Sequence, residues 1–483
     1  MSQILEEVLA EFSKLAAIPR PSKHEQAISN FLCEYLTDLG VSAMQDLKWN
    51  VIAEIPASAG YEGAPLTILQ SHMDMVCVAE AGYEYNALRD PIKLVRTEKF
   101  LEAESTSLGA DDGMGIAEIL YVLKHGGEFK HGPIRVIFTV DEEQGMSGAL
   151  NLNEKYLADA AYMINCDSEI FEEIVVGSAG NVHVDFSREI NYVAPNENFT
   201  TAVEIKISGL SGGHSGLEIA KSRANAVKVM GNFLRAIRDS GNFQLASFSA
   251  GTAPNVIPSE AEVVIVTNLP EPDISETGEI FAERVKKIYG AQNFKVEVAV
   301  AQVPDKVFSA EDFESLSELI TLIHSGVYSM NGEEPLTSAN IGIIRTGESI
   351  EVSVLARSNI SELLADFINL FAQTAKVTGF GVKFGTPAPA WDFKPNSRLA
   401  EIAAEIFTEQ NGFAPKVHTS HGGLECSFFA AKNPSLDIIS TGTTNENIHS
   451  PKERLHLETV EPHVKLIIET LKKIAAVDTQ GEK

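Results

Sequence analysis

The chain has 483 residues, of which 44% are hydrophobic and 22% charged, an ordinary composition for a globular protein with room for two domains. Its formal net charge of −29 argues against nucleic acid or an anionic membrane as a partner, because both are bound through basic surfaces. No apolar run could span a bilayer, no signal peptide is evident, and the four cysteines show no paired spacing, so we expect a cytoplasmic protein with reduced thiols.

The first part of the chain predicts helices alternating with strands. An amphipathic N-terminal helix ends at the break IPRPS, and a second helix follows over roughly 24–40. A further helix is predicted from about Met114 to Lys124. Strands are predicted by the apolar, β-branched runs WNVIAEIPA, APLTILQSH, PIRVIFTV and AAYMINCD. The alternation predicts an α/β domain with a central, mostly parallel sheet flanked by helices.

From about residue 188 the pattern changes to that of an α+β domain. Its predicted strands are VEIKIS, AEVVIVTNL, FKVEVAVAQV and SIEVSVLAR, and its helices lie near 222–240, 275–289, 311–324 and 360–378. The proline-rich turn TPAPAW predicts the return to the first domain, which a helix and the strand LDIIST complete. We therefore predict one domain formed by 1–187 and 391–483 and a second domain inserted over 188–390.

Acids and histidines follow the predicted strands of the first domain. In open α/β sheets the ligand crevice lies outside the carboxyl ends of the strands, so these side chains are expected to converge. They are His72, Asp74, Glu142, Glu143 and Asp167 at strand ends, Asp111 in the turn before a helix, and His449 in the loop after the last strand.

Taken singly, each of these residues also has a structural explanation as a hydrogen-bonded pair, a helix cap or a solvated loop. Together they fit a site for two metal ions. Such a site needs a bridging carboxylate, a nitrogen and a further carboxylate for each ion, and one more acid to take the proton of a water molecule. Because Glu142 and Glu143 are adjacent, they can take different roles.

Five stretches, SHMDMV, LGADDGMG, TVDEEQGMSGA, NCDSE and HSPKERL, resemble in this order the co-catalytic zinc exopeptidases. That family includes peptidase T, glutamate carboxypeptidase-like enzymes and cytosolic dipeptidases. The resemblance covers essentially the whole chain and implies that 1–187 and 391–483 form a catalytic domain, into which 188–390 is inserted as a lid and dimerisation domain. Its length, the turn GADDG and the stretch HGGLEC are most similar to the aminoacyl-histidine (Xaa-His) dipeptidase branch.

The resemblance implies two divalent metal ions per subunit. Asp111 would bridge them, His72 and Asp167 would complete one site, and Glu143 and His449 would complete the other. Zn²⁺ is the expected metal, although carboxylate and imidazole ligands also accept Mn²⁺ or Co²⁺.

The resemblance also implies catalytic roles outside the ligand set. Glu142 would be the general base, and Asp74 would orient His72. In the inserted domain, His214 of GGHSG resembles a histidine that stabilises the oxyanion, often across the interface of a homodimer.

Substrate-binding residues are implied in two further stretches. Asn255 in APNVIP and Arg357 in LARSN match lid positions that bind the carbonyl group and carboxylate of the substrate. Gly423 and Glu425 could hold the substrate termini, since backbone amides suit a carboxylate and glutamate suits an ammonium group; a structural turn is the alternative.

We therefore expect a metal-dependent dipeptidase acting on short peptides with a free amino terminus, including Xaa-His dipeptides. The alternatives within the family are an aminotripeptidase and an N-acyl amino-acid deacylase. The alternative from another class is an inactive peptide-binding protein.

Overall fold

The computed structural model describes residues 2–478, which divide into two compact units. The first unit comprises residues 2–178, 393–419 and 424–478, and the second comprises 179–392 and 420–423. The first division falls after residue 178 rather than 187, because the strand Gly180–Glu189 pairs along its length with Ser349–Ser358 of the second unit. The last division, at the four residues 420–423, has no counterpart in the predicted boundaries.

The elements of the described residues are as follows. The α-helices are α1 Gln3–Ala16, α2 Gln26–Asp38, α3 Ala110–Lys124, α4 Glu142–Gly145, α5 Ser147–Asn151, α6 Ala226–Ser240, α7 Glu271–Tyr289, α8 Ala310–Leu322, α9 Ser361–Thr378, α10 Arg398–Asn411, α11 Cys426–Lys432 and α12 Val460–Asp478. The strands are β1 Ser42–Gln45, β2 Val51–Ile55, β3 Thr67–His72, β4 Leu94–Arg96, β5 Phe100–Ala103, β6 Ile134–Thr139, β7 Tyr162–Asn165, β8 Glu173–Ser178, β9 Gly180–Glu189, β10 Tyr192–Val193, β11 Thr201–Ser208, β12 Gly213–His214, β13 Phe243–Ala250, β14 Val256–Ile257, β15 Ala261–Thr267, β16 Lys295–Val300, β17 Val307–Phe308, β18 Gly326–Asn331, β19 Glu334–Thr346, β20 Ser349–Ser358, β21 Gly381–Phe384, β22 Lys416–Ser420, β23 Asp437–Ser440, β24 Asn445–Glu446 and β25 Arg454–His456. No helix in residues 2–478 has both the length and the apolar character needed to cross a membrane.

The first unit is built on an eight-stranded sheet in the order β1-β2-β6-β3-β7-β23-β8-β22. The four strands β6, β3, β7 and β23 run parallel to one another, whereas β1, β2 and β8 pair antiparallel. Every residue of β3 and β6 is buried, which is why these strands are continuous apolar runs in the sequence. The predicted α/β fold class is confirmed, with the parallel pairing confined to the four central strands.

The parallel pairing brings the carboxyl ends of three strands together. In the pairing of β3 with β6, His72 lies opposite Thr139, and in the pairing with β7, Gln70 lies opposite Asn165. Helices α1, α3 and α12 contribute to the apolar core of this unit, which includes the fully buried Phe12 and Phe138. The turns that leave β3, β6 and β7 therefore start from one edge of a rigid sheet.

The second unit contains a nine-stranded antiparallel sheet in the order β16-β11-β15-β13-β19-β20-β9-β21, with β18 also paired to β19. Helices α6, α7, α8 and α9 share one apolar core with its strands. This matches the predicted α+β character. Helix α6 begins at Ala226 rather than near 222, because the Asn225 side chain accepts a hydrogen bond from the Val227 amide at 2.9 Å and caps the helix.

The side chain of Asn225 allows this packing to be tested, because its amide oxygen caps helix α6 and its amide nitrogen is a buried hydrogen-bond donor. Its Nδ2 donates to Ile341 O at 2.9 Å and to Asn340 Oδ1 at 3.1 Å. We expect Asn225→Ala to lower the free energy of unfolding by about 2–4 kcal/mol, from the lost cap and the unsatisfied buried acceptors. Urea denaturation measures this, and the exposed Asn232 of the same helix provides the control, with Asn232→Ala expected to cost less than about 0.5 kcal/mol. Equal effects of the two substitutions would contradict the packing described.

Candidate active site

His72 is the last residue of β3 and is 1% exposed. Its Nδ1 lies 3.1 Å from the main-chain oxygen of Asp74 and 3.5 Å from Asp74 Oδ1. Its Nε2 lies 3.0 Å from Asp111 Oδ1 and 3.4 Å from Asp167 Oδ1. Oxygen atoms thus face both ring nitrogens. Nδ1 faces a main-chain oxygen, which can only accept a hydrogen bond, whereas Nε2 faces two carboxylates that are themselves metal donors, so Nε2 is the nitrogen available to a metal ion.

Asp74 is fully buried and links the end of β3 to the turn after β6. Its carboxylate accepts hydrogen bonds from Glu142 N at 3.0 Å, Glu143 N at 3.2 Å and Ser22 Oγ at 2.7 Å. Burial alone would raise the pKa of Asp74, but the hydrogen bond and charge of His72 hold that pKa below its ordinary value. A single carboxylate thus fixes both His72 and the start of α4.

Asp111 faces a histidine with each of its carboxylate oxygens. Oδ1 lies 3.0 Å from His72 Nε2, and Oδ2 lies 3.1 Å from His449 Nε2. Burial opposes the charged carboxylate, yet the hydrogen bonds with His449 and His72 hold the pKa of Asp111 far below its usual range. The neighbouring Asp112, joined to it by a cis peptide bond, instead accepts a hydrogen bond from Ser71 Oγ at 2.5 Å. The two adjacent acids therefore have different partners.

His449 belongs to a loop, and its side chain is 45% exposed. Its Nε2 lies 2.9 Å from Glu143 Oε2, in addition to its contact with Asp111. Burial lowers the pKa of His449, but the hydrogen bonds with Asp111 and Glu143 outweigh it and raise that pKa to about 11. Unlike His72, this histidine is not held by close packing.

These side chains form two donor groups that share one carboxylate. Within each group, one donor atom from each residue lies within 4.8 Å of the others, and each group offers one imidazole nitrogen and two carboxylate oxygens. The groups are His72, Asp111 and Asp167 on one side, and Asp111, Glu143 and His449 on the other. A third, overlapping group contains His72, Glu142 and Glu143. The donor set fits two divalent ions with Asp111 between them.

The remaining acids around this cluster are crowded and shielded from water. Burial raises the pKa of Asp167 and of Glu142 well above their ordinary values. Burial, followed by repulsion from Asp111, raises the pKa of Glu169 to about 8. Both causes disfavour the ionised carboxylate, and a bound cation opposes both, so the electrostatics of this cluster also fit metal ions.

Glu425 lies in the same unit and is 1% exposed. Its Oε2 accepts hydrogen bonds from Thr139 Oγ1 at 2.6 Å and Gln70 Nε2 at 2.8 Å, so it is anchored to β6 and β3. Its Oε1 is buried without a hydrogen-bond partner in the described part of the chain, and burial raises the pKa of Glu425 to about 7. A buried acceptor of this kind can bind a cationic group.

In the second unit, the predicted residues His214 and Arg357 lie on either side of Gly216. A methyl group at Gly216 would lie 3.0 Å from His214 Cε1 and 3.3 Å from Arg357 Cζ, so glycine allows these side chains to approach. Asn255 accepts a hydrogen bond from Ser215 N on its main-chain oxygen at 2.8 Å. The fold therefore places His214, Asn255 and Arg357 near one another.

The protonation of His214 is set by the main chain that follows it. Its Nδ1 accepts hydrogen bonds from Leu217 N at 3.1 Å and Gly216 N at 3.3 Å. An imidazole nitrogen that accepts cannot carry the proton, so the neutral ring is protonated on Nε2. His214 is thus prepared as a hydrogen-bond donor through Nε2.

Arg357 is a buried cation, 5% exposed, and burial is the one influence on its pKa, with no contribution from a carboxylate of the described residues. Its Nε also has no hydrogen-bond partner within these residues, and burial lowers its pKa to about 10. Burying a charged group costs several kcal/mol in free energy, and a well-placed partner of opposite charge offsets this cost. Arg357 is therefore suited to an anionic ligand.

His421 fixes the segment 420–423, which contains Gly423. Its Nδ1 donates to Asn359 Oδ1 at 2.6 Å, because the Asn359 amide nitrogen is already donating to Ser420 O at 3.0 Å. Its Nε2 then accepts from Ser338 Oγ at 2.8 Å. Burial and the charge of Arg357 lower the pKa of His421 to about 3, so this ring is neutral. Both of its nitrogens are paired with protein groups, which indicates a structural role rather than that of a metal ligand.

Comparison with known proteins identifies the family. The model of the peptidase family M20/M25/M40 matches residues 68–473, well over half of the chain. The chain belongs to this family. It is 30% identical over 476 residues to the cytosol non-specific dipeptidase of Escherichia coli strain K12, with 96% of this chain and 97% of that protein covered. The family resemblance found in the sequence is thereby confirmed.

Solved structures of related proteins agree with the fold. The aminoacylhistidine dipeptidase of Vibrio alginolyticus has a TM-score of 0.83 and 30% identity, covering 98% of each chain. The aminopeptidase PepT of Bacillus cereus has a TM-score of 0.56 and 19% identity, covering 98% of this chain and 99% of that one, and supports the fold alone.

Two buried residues that hold the site segments of this M20-family chain in place were not predicted from its sequence. Arg20 is 1% exposed and donates through Nη1 to the main-chain oxygens of Met73 and Asp74, both at 2.9 Å, and through Nη2 to that of Gly109. Glu453 lies in the stretch HSPKERL, four residues after His449, and accepts from main-chain amides of the turn before α3. Position within a recognised stretch was the only signal available for Glu453, and Arg20 had none.

Proposed function

We propose that the protein is a metal-dependent dipeptidase that hydrolyses dipeptides with a free amino terminus, Xaa-His dipeptides among them. The observation that carries this proposal is the pair of donor groups that share Asp111, with the further acid Glu142 beside them. The similarity over nearly the full length to proteins named as dipeptidases supports the substrate class.

We propose that two Zn²⁺ ions occupy the donor groups, although Mn²⁺ or Co²⁺ would suit the same ligands. When bound, such ions polarise a carbonyl group and make a water molecule more acidic. Glu142 then takes the proton of the attacking water and later delivers it to the leaving amino group. Its pKa, raised by burial, suits an acid that must both accept and release a proton. Asp74 acts through His72, whose ring it orients.

The residues of the second unit supply the other interactions of the proposal. The Nε2–H of His214 donates to the carbonyl oxygen as negative charge develops on it. Asn255 contributes an amide group to the same carbonyl, and Arg357 binds the carboxylate of the dipeptide. The buried charge of Arg357 and the Nε2 tautomer of His214 support these roles.

The remaining assignments concern the amino terminus and the assembly. Glu425 binds the substrate ammonium group through its unpartnered Oε1, and the amides near Gly423 orient the peptide. We also propose that the protein is cytoplasmic, which its four free cysteines and its similarity to a cytosolic dipeptidase support. That it is a homodimer is a proposal from the family resemblance.

The first functional prediction separates the two adjacent glutamates. Glu142→Gln should keep both metal ions but lower kcat by at least about 10²-fold, because an amide cannot accept the proton of water. Glu143→Gln should instead weaken one metal site, since Glu143 contacts His449. Elemental analysis beside activity assays distinguishes the two variants. Full activity of Glu142→Gln would exclude it as the general base.

The second functional prediction concerns His214. His214→Ala should lower kcat by about 10²–10³-fold with both metal ions retained, because a preorganised donor to the oxyanion is lost. His324→Ala, at an exposed histidine of the same unit, should leave kcat unchanged. A decrease of less than about threefold in kcat for a folded, metal-loaded His214→Ala protein would rule out the donor role.

The third functional prediction concerns peptide length and the free amino group. A site built for both charged termini of a dipeptide cannot pair both with a longer peptide, whose termini are farther apart, and a blocked peptide lacks the ammonium group. In each case a buried charged group of the protein stays unpaired. We expect kcat/KM to be highest for an unblocked dipeptide such as β-alanyl-histidine, lower for the matching tripeptide, and nearly lost after amino-terminal acetylation. If the acetylated compound is the best substrate, the protein is a deacylase; if the tripeptide is best, it is an aminotripeptidase.

A further inference from the structure

The two donor groups differ in how firmly the fold holds their histidines. His72 ends a fully buried strand and is 1% exposed. His449 lies in the connection between β24 and β25, with a backbone φ of 58° and a side chain that is 45% exposed. Packing therefore fixes His72, whereas the position of His449 depends on whatever anchors its loop.

The loop that carries His449 is closed by its own hydrogen bonds. Ser450 Oγ donates to Asn447 O at 2.6 Å, and Glu453 N donates to Ser450 O at 3.1 Å. These bonds make residues 447–453 a compact turn, so a tether on Glu453 is transmitted to His449. They do not themselves attach the turn to the rest of the unit.

Strand β25, which follows the turn, pairs with β5 and holds the base of this hairpin to the unit, and the side chain of Glu453 attaches the turn itself to the segment around Asp111. Glu453 is 3% exposed, and its Oε2 accepts from Leu108 N at 2.8 Å and Gly109 N at 3.0 Å. Its Oε1 accepts from Ala110 N at 2.8 Å and lies 3.4 Å from Asp111 N. One carboxylate thus holds the turn that presents Asp111 to both histidines, and charge-assisted bonds of this kind are the strong ones.

Arg20 holds the same turn from another direction. It donates to Gly109 O and, at 2.9 Å, to the main-chain oxygens of Met73 and Asp74. The turn with Asp111 therefore remains tied to the His72 segment even when Glu453 is changed. The loop with His449 has Glu453 as its buried side-chain link to that turn.

We propose that Glu453 is a positioning residue. It holds the loop 447–453, which carries His449, against the turn 108–111, which carries Asp111, and so sets the metal affinity of the donor group formed by Asp111, Glu143 and His449. The inference rests on the proposed two-metal function and deepens it. Without the Glu453 carboxylate, the group formed by Glu143 and His449 loses its geometry, while the group formed by His72 and Asp167 keeps it.

The test is Glu453→Gln, which keeps the side-chain volume but replaces one acceptor oxygen by a donor that opposes the main-chain amides. Metal-free wild type and variant are titrated with Zn²⁺ alone and followed by calorimetry, and Co²⁺ is added separately to record the visible absorption of each site. We expect wild type to bind two ions. In the variant, one ion should bind as in wild type and the other about 10–100-fold more weakly, with a changed Co²⁺ spectrum for that site only. With excess Zn²⁺, kcat should recover while KM stays unchanged.

Glu446→Gln is the matched control on the same hairpin. Glu446 pairs with His456 at 2.8 Å and with Arg454, so this variant loses a local ion pair without touching the Asp111 turn. Its metal affinities should equal those of wild type even if its melting temperature falls. If Glu453→Gln does not fold, Glu453→Asp replaces it, with the second ion still bound more weakly than in wild type.

The outcomes separate the inference from the function on which it rests. If wild type binds two ions and the folded Glu453 variant binds both with the wild-type affinities, the positioning role alone is overturned. Equal weakening by Glu446→Gln would also overturn it, since the effect would then be general. Fewer than two ions in wild type would overturn the proposed two-metal function itself.

Discussion

The two oxygens of the Asp111 carboxylate face two histidines that are far apart in the sequence. Oδ1 lies 3.0 Å from His72 Nε2, and Oδ2 lies 3.1 Å from His449 Nε2. The other members of the two donor groups are arranged around this carboxylate. The parallel sheet brings His72 and Asp167 to one oxygen, and the turn after β6 together with the His449 loop brings Glu143 to the other.

The same arrangement concentrates negative charge where water is scarce. Burial raises the pKa of Asp167, Glu142 and Glu143, and His72 and His449 act in the opposite direction. A cluster of this kind is unfavourable as a purely structural feature, because buried carboxylates without cations destabilise a fold. Its cost is understandable if divalent ions bind it, and the family membership of the chain is consistent with that explanation.

Much of the fold and of the metal cluster could be predicted from the sequence because the signals were local. Buried parallel strands are continuous apolar runs, and the acids or histidines that follow them mark the sheet edge at which they meet. The groups that hold the cluster in place left no such signal. Arg20 and Glu453 contact main-chain atoms, and any sequence can supply a carbonyl oxygen or an amide. The tautomer of His214 likewise depends on the amides of Gly216 and Leu217, which only the folded turn directs at Nδ1.

The account depends most directly on two ions sharing Asp111. Crystals of the Zn²⁺-loaded protein, measured on both sides of the zinc absorption edge, would locate the ions independently of activity. The account predicts two anomalous peaks about 3.5–4 Å apart, one contacting His72 and Asp167 and the other contacting Glu143 and His449, with Asp111 between them. A single peak, or a second peak away from Asp111, would contradict it.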